Sequence, residues 1–319
     1  MPRFNPKPSK LIDLNAQFFG FFSLILLLAF SNAPKLKAEV IHQEASLYRP
    51  ILVEDNKGIR CLRFNNKREN INQTCVHKNA PNKLVFNYTK LLFSALLFKE
   101  KPEDILIIGL GGGTLSNALH LLLPDANITT VEIDPAMIKV AKQYFDLVDN
   151  EKVKHIVQDG RLFIKREKLK KQTYDWIILD AFNGDYIPEH LLTYEFLLDV
   201  KAILKNKGLV TSNTFIGSQL YQHESATYFA AFGDFYNIQN KENENRIILA
   251  TKSRSDFSPQ IMKKRPDFYN ELKHRLQAYD INLEALVTSI IYTKHNHDWS
   301  SSTRILTDQY SPSNILNAQ

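Results

Sequence analysis

A cluster of glycines between an apolar run and a helical segment constrains the fold most. The run Ile105–Ile108 leads directly into Gly109-Leu110-Gly111-Gly112-Gly113, and residues 114–123 then have helical apolar spacing. Glycines let a backbone turn tightly and approach a ligand closely, here at the positive end of the next helix. The pattern predicts a strand, a ligand-binding turn and a helix, although a glycine loop alone does not identify the ligand.

Apolar strand-like runs alternate with helical segments through the rest of this region. Predicted strands cover 128–133, 153–158, 176–180 and 208–213, predicted helices cover 135–145, 160–168, 192–204 and 220–232, and a hairpin is predicted over 234–238 and 246–251. Continuous apolar strands that alternate with helices indicate a mainly parallel sheet, buried on both faces. The sequence therefore predicts an α/β fold that closes with an antiparallel strand.

The chain divides into four predicted parts: a signal peptide or membrane anchor over 1–38, a β-rich domain over 39–82, a Rossmann-like domain over 83–252 and a helical or loop-like extension over 253–319. Short strands are predicted over 45–53, 59–64 and 71–76. A predicted helix over 84–98 links the two domains, and another helix is predicted over 260–279.

The first part has the pattern of an export signal. Arg3, Lys7 and Lys10 precede the apolar stretch FFGFFSLILLLAF at 18–30. This stretch suits a cleaved signal and is short for a membrane span, although an uncleaved anchor and a buried helix of the fold stay open. We therefore expect an exported domain, periplasmic or anchored to the inner membrane, with a cytoplasmic protein as the alternative.

Two cysteines lie in neighbouring predicted strands. A hairpin centred on Arg68 would place Cys61 directly opposite Cys75, at a distance that a disulfide can span. An exported protein could hold that bridge, and two buried reduced thiols are the alternative.

Charge does not single out a macromolecular partner. The formal net charge is +6, but lysines and arginines are spread along the chain rather than gathered in a block, so a nucleic-acid partner is not expected. The run of His295, His297 and Asp298 lacks a second pair of ligands, so no metal site is expected.

Acidic residues follow successive predicted strands, where an open parallel sheet binds ligands. Glu132 comes 23 positions after Gly109, the spacing of a carboxylate that holds ribose hydroxyls, while Asp134 is placed to cap the next helix. Asp159 and Gly160 follow the third strand, where the carboxylate can accept a hydrogen bond from an adenine amino group, and Asp180 follows the fourth. Thr114 stands where a dinucleotide fingerprint has its third glycine, which disfavours NAD.

These residues resemble the spermidine synthase family, the polyamine aminopropyltransferases, and more closely its divergent bacterial spermidine-synthase-like branch. The likeness covers about residues 44–252 and is carried by ILIIGLGGGT, VEIDP, QDGR and DAFNGDYIPEHLLTYEF. It implies a Rossmann-like, S-adenosylmethionine-dependent transferase fold with a seven-stranded sheet, a small β-rich amino-terminal domain and a homodimer. The residues expected to contact S-adenosylmethionine or its decarboxylated form are Gln73, Gly109, Gly111, Gly112, Gly113, Glu132, Asp159 and Gly160.

The sequence departs from the family pattern where the acceptor amine would bind. Gly112 stands in place of an aspartate, Thr89 in place of a histidine, and Asn183 in place of a second aspartate of the gate loop. The resemblance leaves Asp180, Asp185 and Tyr186 as candidate catalytic residues for a small amine or another acceptor. Aminopropyl transfer with a degenerate amine site is the first hypothesis, and a methyltransferase or a non-catalytic binding protein on the same scaffold are the alternatives.

Overall fold

A computed structural model describes residues 38–64, 71–182, 186–217, 219–239, 245–253, 265–293 and 297–317. The predicted export or anchor segment lies outside these residues except for Ala38. All contacts below belong to the compact unit Glu39–Gln319. Within the described ranges, no helix has both the length and the apolar character that a membrane crossing needs.

The amino-terminal part folds into a small antiparallel sheet of four described strands. In sheet order these are β1 (Glu39–Glu44), β2 (Ile51–Asn56), β3 (Ile59–Phe64) and β4 (Asn72–His77). The prediction of one strand over 45–53 is wrong, because the chain leaves the sheet between β1 and β2. There Ser46 donates to Asp134 Oδ2 over 2.6 Å and accepts from the Tyr48 N–H, and Pro50 has no N–H for a ladder.

The two cysteines face each other across β3 and β4. Arg60 pairs with Val76 and Cys61 pairs with Cys75, which is the predicted register. The two sulfurs are joined in a disulfide, so the alternative of two reduced thiols does not describe this structure. The bridge fastens β4 to β3, and β4 carries Gln73 and Thr74 to the cavity described below.

A second sheet forms the centre of the larger domain. Its strands are β5 (Asp104–Ile108), β6 (Asn127–Glu132), β7 (Val153–Val157), β8 (Tyr174–Leu179), β9 (Leu204–Phe215), β10 (Tyr236–Ile238), β11 (Asn245–Thr251) and β12 (Ile290–Tyr292). Their order is β12-β10-β11-β9-β8-β5-β6-β7. The five strands from β9 to β7 run parallel, and β11, β10 and β12 pair antiparallel. The α/β fold with a mainly parallel sheet and an antiparallel end is confirmed.

The described sheet has eight strands rather than the expected seven, since β12 comes from the carboxy-terminal extension. Tyr236 pairs with Tyr292 there, and their rings stack with centroids 4.5 Å apart. A strand of three residues in a polar tail is too short to produce a period-two signal. Predicting only helix and loop over 253–319 was therefore wrong at this edge.

Helices cover the second sheet. They are α1 (Asn87–Leu92), continued by a 3-10 turn over Phe93–Leu97, then α2 (Thr114–Leu122), α3 (Pro135–Tyr144), α4 (Gly160–Lys170), α5 (Tyr194–Ala202), α6 (Leu220–Phe232), α7 (Pro266–Gln277), α8 (Leu283–Thr288) and α9 (Ser313–Asn317). Asp134 caps α3 by accepting from the Ala136 N–H over 2.9 Å, as predicted.

Strand β5 shows why its apolar run is continuous. Ile105 and Ile107 pack into one core with α1 and α2. Leu106 and Ile108 pack into a second core with α4 and α5. Successive side chains of a strand point to opposite faces, so a sheet covered on both faces needs apolar residues at every position. The polar loops are therefore left at the strand ends, where the site forms.

Candidate active site

A cavity of about 290 Å³ lies at the carboxyl ends of β5, β6, β7 and β8, beneath the small sheet. Seven of the predicted site residues line it: Gln73, Gly109, Gly111, Glu132, Asp159, Gly160 and Asp180. Tyr48, Arg49, Phe64, Thr74, Tyr88 and His190 also line it. Both sheets of the chain therefore contribute to one concave site.

The glycine loop has no room for side chains where it meets the rest of the site. At Gly109 the φ angle is +98°, and an added Cβ would overlap the carbonyl oxygen of Asp180. The ends of β5 and β8 thus touch through backbone atoms. This close approach requires glycine at position 109.

Gly112 and Gly113 do not line the cavity among the described residues. The Gly112 N–H donates to Thr74 Oγ1 over 2.9 Å, and a Cβ added there would lie 2.5 Å from Thr74 Cγ2. At Gly113, an added Cβ would overlap the Leu147 side chain. The sequence placed both glycines at the ligand, but the structure places them against β4 and the loop after α3.

Glu132 projects from the end of β6 into the buried part of the site. Its Oε2 accepts from the Leu110 N–H over 3.1 Å, and its Oε1 accepts from the Asp134 N–H over 3.0 Å. Burial raises the pKa of the Glu132 carboxyl, and these backbone hydrogen bonds oppose the rise. A carboxylate held by backbone donors keeps free lone pairs that two adjacent hydroxyls can reach.

Asp159 has two roles in the structure. Its Oδ1 caps α4 by accepting from the Leu162 N–H over 2.9 Å, and its Oδ2 lies 2.9 Å from His190 Nε2. The hydrogen bond with His190 holds the pKa of the Asp159 carboxyl below its usual value, against the opposing effect of burial. A helix cap that also lines the cavity can contact the base of a nucleoside.

Asp180 is a half-buried carboxylate of the site, held by two side chains. Asn213, on β9, donates from Nδ2 to Asp180 Oδ1 over 2.9 Å, and Tyr88 donates from Oη to Oδ2 over 3.3 Å. Burial raises the pKa of the Asp180 carboxyl to about 7, although both hydrogen bonds oppose the rise. Burial also raises the pKa of the Tyr88 phenol well above its usual value, so Tyr88 stays a hydrogen-bond donor.

The other candidates from the gate loop are not placed at the site. Asp185 and Asn183 lie outside the described residues. Tyr186 is half-buried and does not line the cavity within the described part of the chain. Of the three predicted catalytic residues, the structure therefore places only Asp180 in the described cavity wall.

Several residues of the site were missed because they come from distant parts of the sequence. Asn213 ends a predicted strand, so the strand-end rule that selects Asp180 also applies to it. Thr74 directly follows Gln73, which was predicted at the site, but Thr74 itself was not predicted. Arg49 and Phe64 carry no sequence signal, since nothing local shows that the small sheet covers the glycine loop.

An acidic cluster of Glu103, Asp104 and Asp175 lies at the opposite, amino ends of β5 and β8. Lys205 Nζ is 2.6 Å from Asp104 Oδ2 and 2.8 Å from Asp175 Oδ2, so the carboxylates are paired within the protein. The run of His295, His297 and Asp298 is only partly described, because His295 lies outside the described residues. His297 Nε2 is 3.5 Å from Asp234 Oδ1.

Comparison with known proteins places this site in a family. A spermine/spermidine synthase domain model matches residues 85–239. The polyamine aminopropyltransferase of Vibrio vulnificus is 41% identical over 282 residues, which cover 88% of this chain and 92% of that protein. An eEF1A lysine and N-terminal methyltransferase homolog of Drosophila pseudoobscura is 37% identical over 198 residues, which span 60% of this chain but 28% of that protein.

The fold has a counterpart among solved structures. A probable spermidine synthase from Corynebacterium glutamicum superposes with a TM-score of 0.66 at 18% identity, covering 85% of this chain and 97% of that one. This chain therefore shares the fold of the Corynebacterium protein over nearly the whole length of that protein. With the extended identity to the Vibrio protein, this shows that the chain belongs to the spermine/spermidine synthase family of polyamine aminopropyltransferases.

Proposed function

We propose that this protein transfers an alkylamine group from an S-adenosylmethionine-type nucleoside to an amine acceptor, as a polyamine-type aminopropyltransferase whose amine site has diverged. The observation that carries the proposal is Asp180, a half-buried carboxylate that Tyr88 and Asn213 hold in the wall of a nucleoside-sized cavity, where burial raises its pKa to about 7. A general base is most effective when its pKa lies near the working pH.

One part of the site would bind the nucleoside and another would bind the acceptor. We call the glycine loop with Glu132 and Asp159 the nucleoside half, and Asp180 with Tyr88 and the supporting Asn213, which does not itself line the described cavity, the acceptor half. Glu132 would accept hydrogen bonds from the ribose hydroxyls, and Asp159 would accept one from the adenine amino group. The first half therefore positions the sulfonium, and the second half holds the acceptor nitrogen.

The transfer balances with these groups alone. The lone pair of the acceptor nitrogen forms a bond to the chain carbon next to the sulfonium sulfur as the carbon–sulfur bond breaks. The bonding pair stays on sulfur and gives neutral methylthioadenosine. The nitrogen gives up a proton to the Asp180 carboxylate, whose position Tyr88 and Asn213 fix through their hydrogen bonds.

Nucleoside binding is the direct test. Purified protein is titrated by calorimetry with methylthioadenosine, S-adenosylmethionine and its decarboxylated form, and then assayed for methylthioadenosine release with 1,4-diaminobutane and other amines. We expect binding of all three nucleosides and release of methylthioadenosine only with an acceptor. Absence of binding by every nucleoside would show that the cavity serves another ligand.

A methyltransferase is the second candidate, favoured by the 37% identity to a methyltransferase homolog over 198 residues. The nucleoside product separates the two reactions, since methyl transfer leaves S-adenosylhomocysteine and alkylamine transfer leaves methylthioadenosine. A non-catalytic binding protein would retain the nucleoside and form neither product.

We also propose that the protein works outside the cytoplasm, exported or held at the inner membrane, and that it forms a homodimer. The basic and apolar start of the chain and the bridge between Cys61 and Cys75 support the first proposal, because disulfides persist in oxidising compartments. Thiol labelling of protein from its native compartment tests it: labelled cysteines would favour the cytoplasm. Light scattering of the purified protein tests the dimer.

A further inference from the structure

The carboxylates of the cavity are already engaged by the protein. Four carboxylates line its described part, and each of their oxygens accepts or shares a hydrogen bond. The partners are Leu110 and Asp134 N–H for Glu132, Ala136 N–H and Ser46 for Asp134, Leu162 N–H and His190 for Asp159, and Asn213 and Tyr88 for Asp180. Each of these oxygens therefore already has a hydrogen-bond partner within the protein.

The glycine loop adds no carboxylate to this set, since residues 109–113 are four glycines and a leucine. At Gly112 an added Cβ would lie 2.5 Å from Thr74 Cγ2 and 3.2 Å from the Phe145 ring. A side chain at position 112 would therefore require Thr74, and to a smaller extent Phe145, to move. Residues outside the glycine loop must therefore bind the far end of the alkyl chain that a ligand carries on its sulfonium sulfur.

Arg49 is a cationic residue of the cavity lining. It lines the cavity, is half-buried, and its guanidinium carbon lies 5.8 Å from the centroid of the Phe64 ring. No carboxylate of the described residues comes within 4.0 Å of its guanidinium nitrogens. The other cationic candidate in the lining, His190, is matched by Asp159.

We propose that Arg49 binds a carboxylate of the ligand, so that the substrate pair of this protein includes an anionic group. A guanidinium held over an aromatic ring presents a planar fork of donors that fits a carboxylate. The proposal rests on the proposed function and specifies its substrate class. The carboxylate belongs either to the donor, as the α-carboxylate of intact S-adenosylmethionine, or to an amine acceptor that also carries an acid.

The first experiment measures the donor. Binding of S-adenosylmethionine and of its decarboxylated form is compared by calorimetry in the wild type, Arg49→Gln, Arg49→Lys and Arg63→Gln. Arg63 pairs with Glu54 over 2.5 Å and does not line the described cavity, so it is the matched control. If the donor carries the carboxylate, the wild type and Arg63→Gln prefer intact S-adenosylmethionine about tenfold or more, and Arg49→Gln loses that preference.

The second experiment measures the acceptor. With methylthioadenosine bound, binding of 4-aminobutanoate is compared with binding of 1,4-diaminobutane in the same four proteins. If the acceptor carries the carboxylate, the wild type prefers 4-aminobutanoate about tenfold and Arg49→Gln does not. Arg49→Lys should keep part of the preference in whichever arm shows it, because it keeps charge but loses the paired donors.

Two results would overturn the inference. Either neither pair of ligands is discriminated by its carboxylate in the wild type, or the discrimination persists in Arg49→Gln. Methylthioadenosine has no chain end, so its binding separates this inference from the proposed function: a wild type that binds methylthioadenosine but shows no carboxylate preference refutes the inference alone.

Discussion

The nucleoside half and the acceptor half of the cavity are built in different ways. The nucleoside half uses backbone donors and carboxylates at the ends of consecutive parallel strands, β5, β6 and β7. The acceptor half joins Tyr88, on α1, to Asp180, just after β8, and to Asn213, on the neighbouring strand β9. The nucleoside half thus relies largely on backbone hydrogen bonds, whereas the acceptor half depends on hydrogen bonds between side chains, so substitutions should separate binding from turnover.

The largest expected effect is in the acceptor half alone. Asp180→Asn removes the proton acceptor but keeps a side chain of the same shape, so turnover should fall about a thousandfold. Methylthioadenosine should bind to this variant as it binds to the wild type. Stopped assays of methylthioadenosine release with calorimetry of the same preparation measure both quantities, and retained turnover would remove Asp180 from the mechanism.

The converse substitution is in the nucleoside half. Glu132→Gln replaces an acceptor of ribose hydrogen bonds by an amide, which should weaken nucleoside binding about thirtyfold. Turnover at saturating nucleoside should change much less. Calorimetry and initial rates at several nucleoside concentrations separate the two effects, and a fall in turnover equal to the fall in affinity would show that the halves are not independent.

The pH dependence should belong to the acceptor half. Because burial raises the pKa of Asp180 to about 7, the carboxylate becomes protonated as the pH falls below that value and can no longer accept a proton. Turnover should therefore decline about tenfold for each pH unit below 7. Methylthioadenosine binding measured between pH 6 and pH 8 is the control, and a parallel decline in binding would assign the titration to the nucleoside half instead.

The smallest effect tests Asn213 as a positioning residue. Its hydrogen bond favours the charged form of Asp180, so Asn213→Ala should move the acid limb of the rate profile upward by about half a pH unit. Asn213→Asp should move it further, because a second carboxylate disfavours ionisation of the first. A rate loss without any movement of the profile would indicate that Asn213 only fills space.

The same contrast explains what could be predicted from the sequence. The strand ends at Gly109, Glu132, Asp159 and Asp180 were found because apolar runs mark the strands and the next polar residue lies at the ligand edge. Asp134 was identified as a helix cap by the proline that follows it. These predictions depend on residues that are neighbours in the chain.

The remaining features depend on contacts across the fold. The strand Ile290–Tyr292 is too short for its pattern to show, and its place beside β10 is fixed only by tertiary pairing. Gly112 was predicted to touch the ligand, but Thr74 covers it from the other sheet. No local pattern reveals that the small sheet lies on the glycine loop, so Arg49, Phe64 and Thr74 could not be assigned.

The contact between Thr74 and Gly112 also limits how the protein can change over generations. An aspartate at position 112 would place its Cβ 2.5 Å from Thr74 Cγ2, so Thr74 would have to move. A smaller residue at position 74 would relieve this contact. The two positions, 38 residues apart, should therefore vary together among relatives. A variant that regains an aspartate in the glycine loop should also carry a substitution at position 74 of the small sheet.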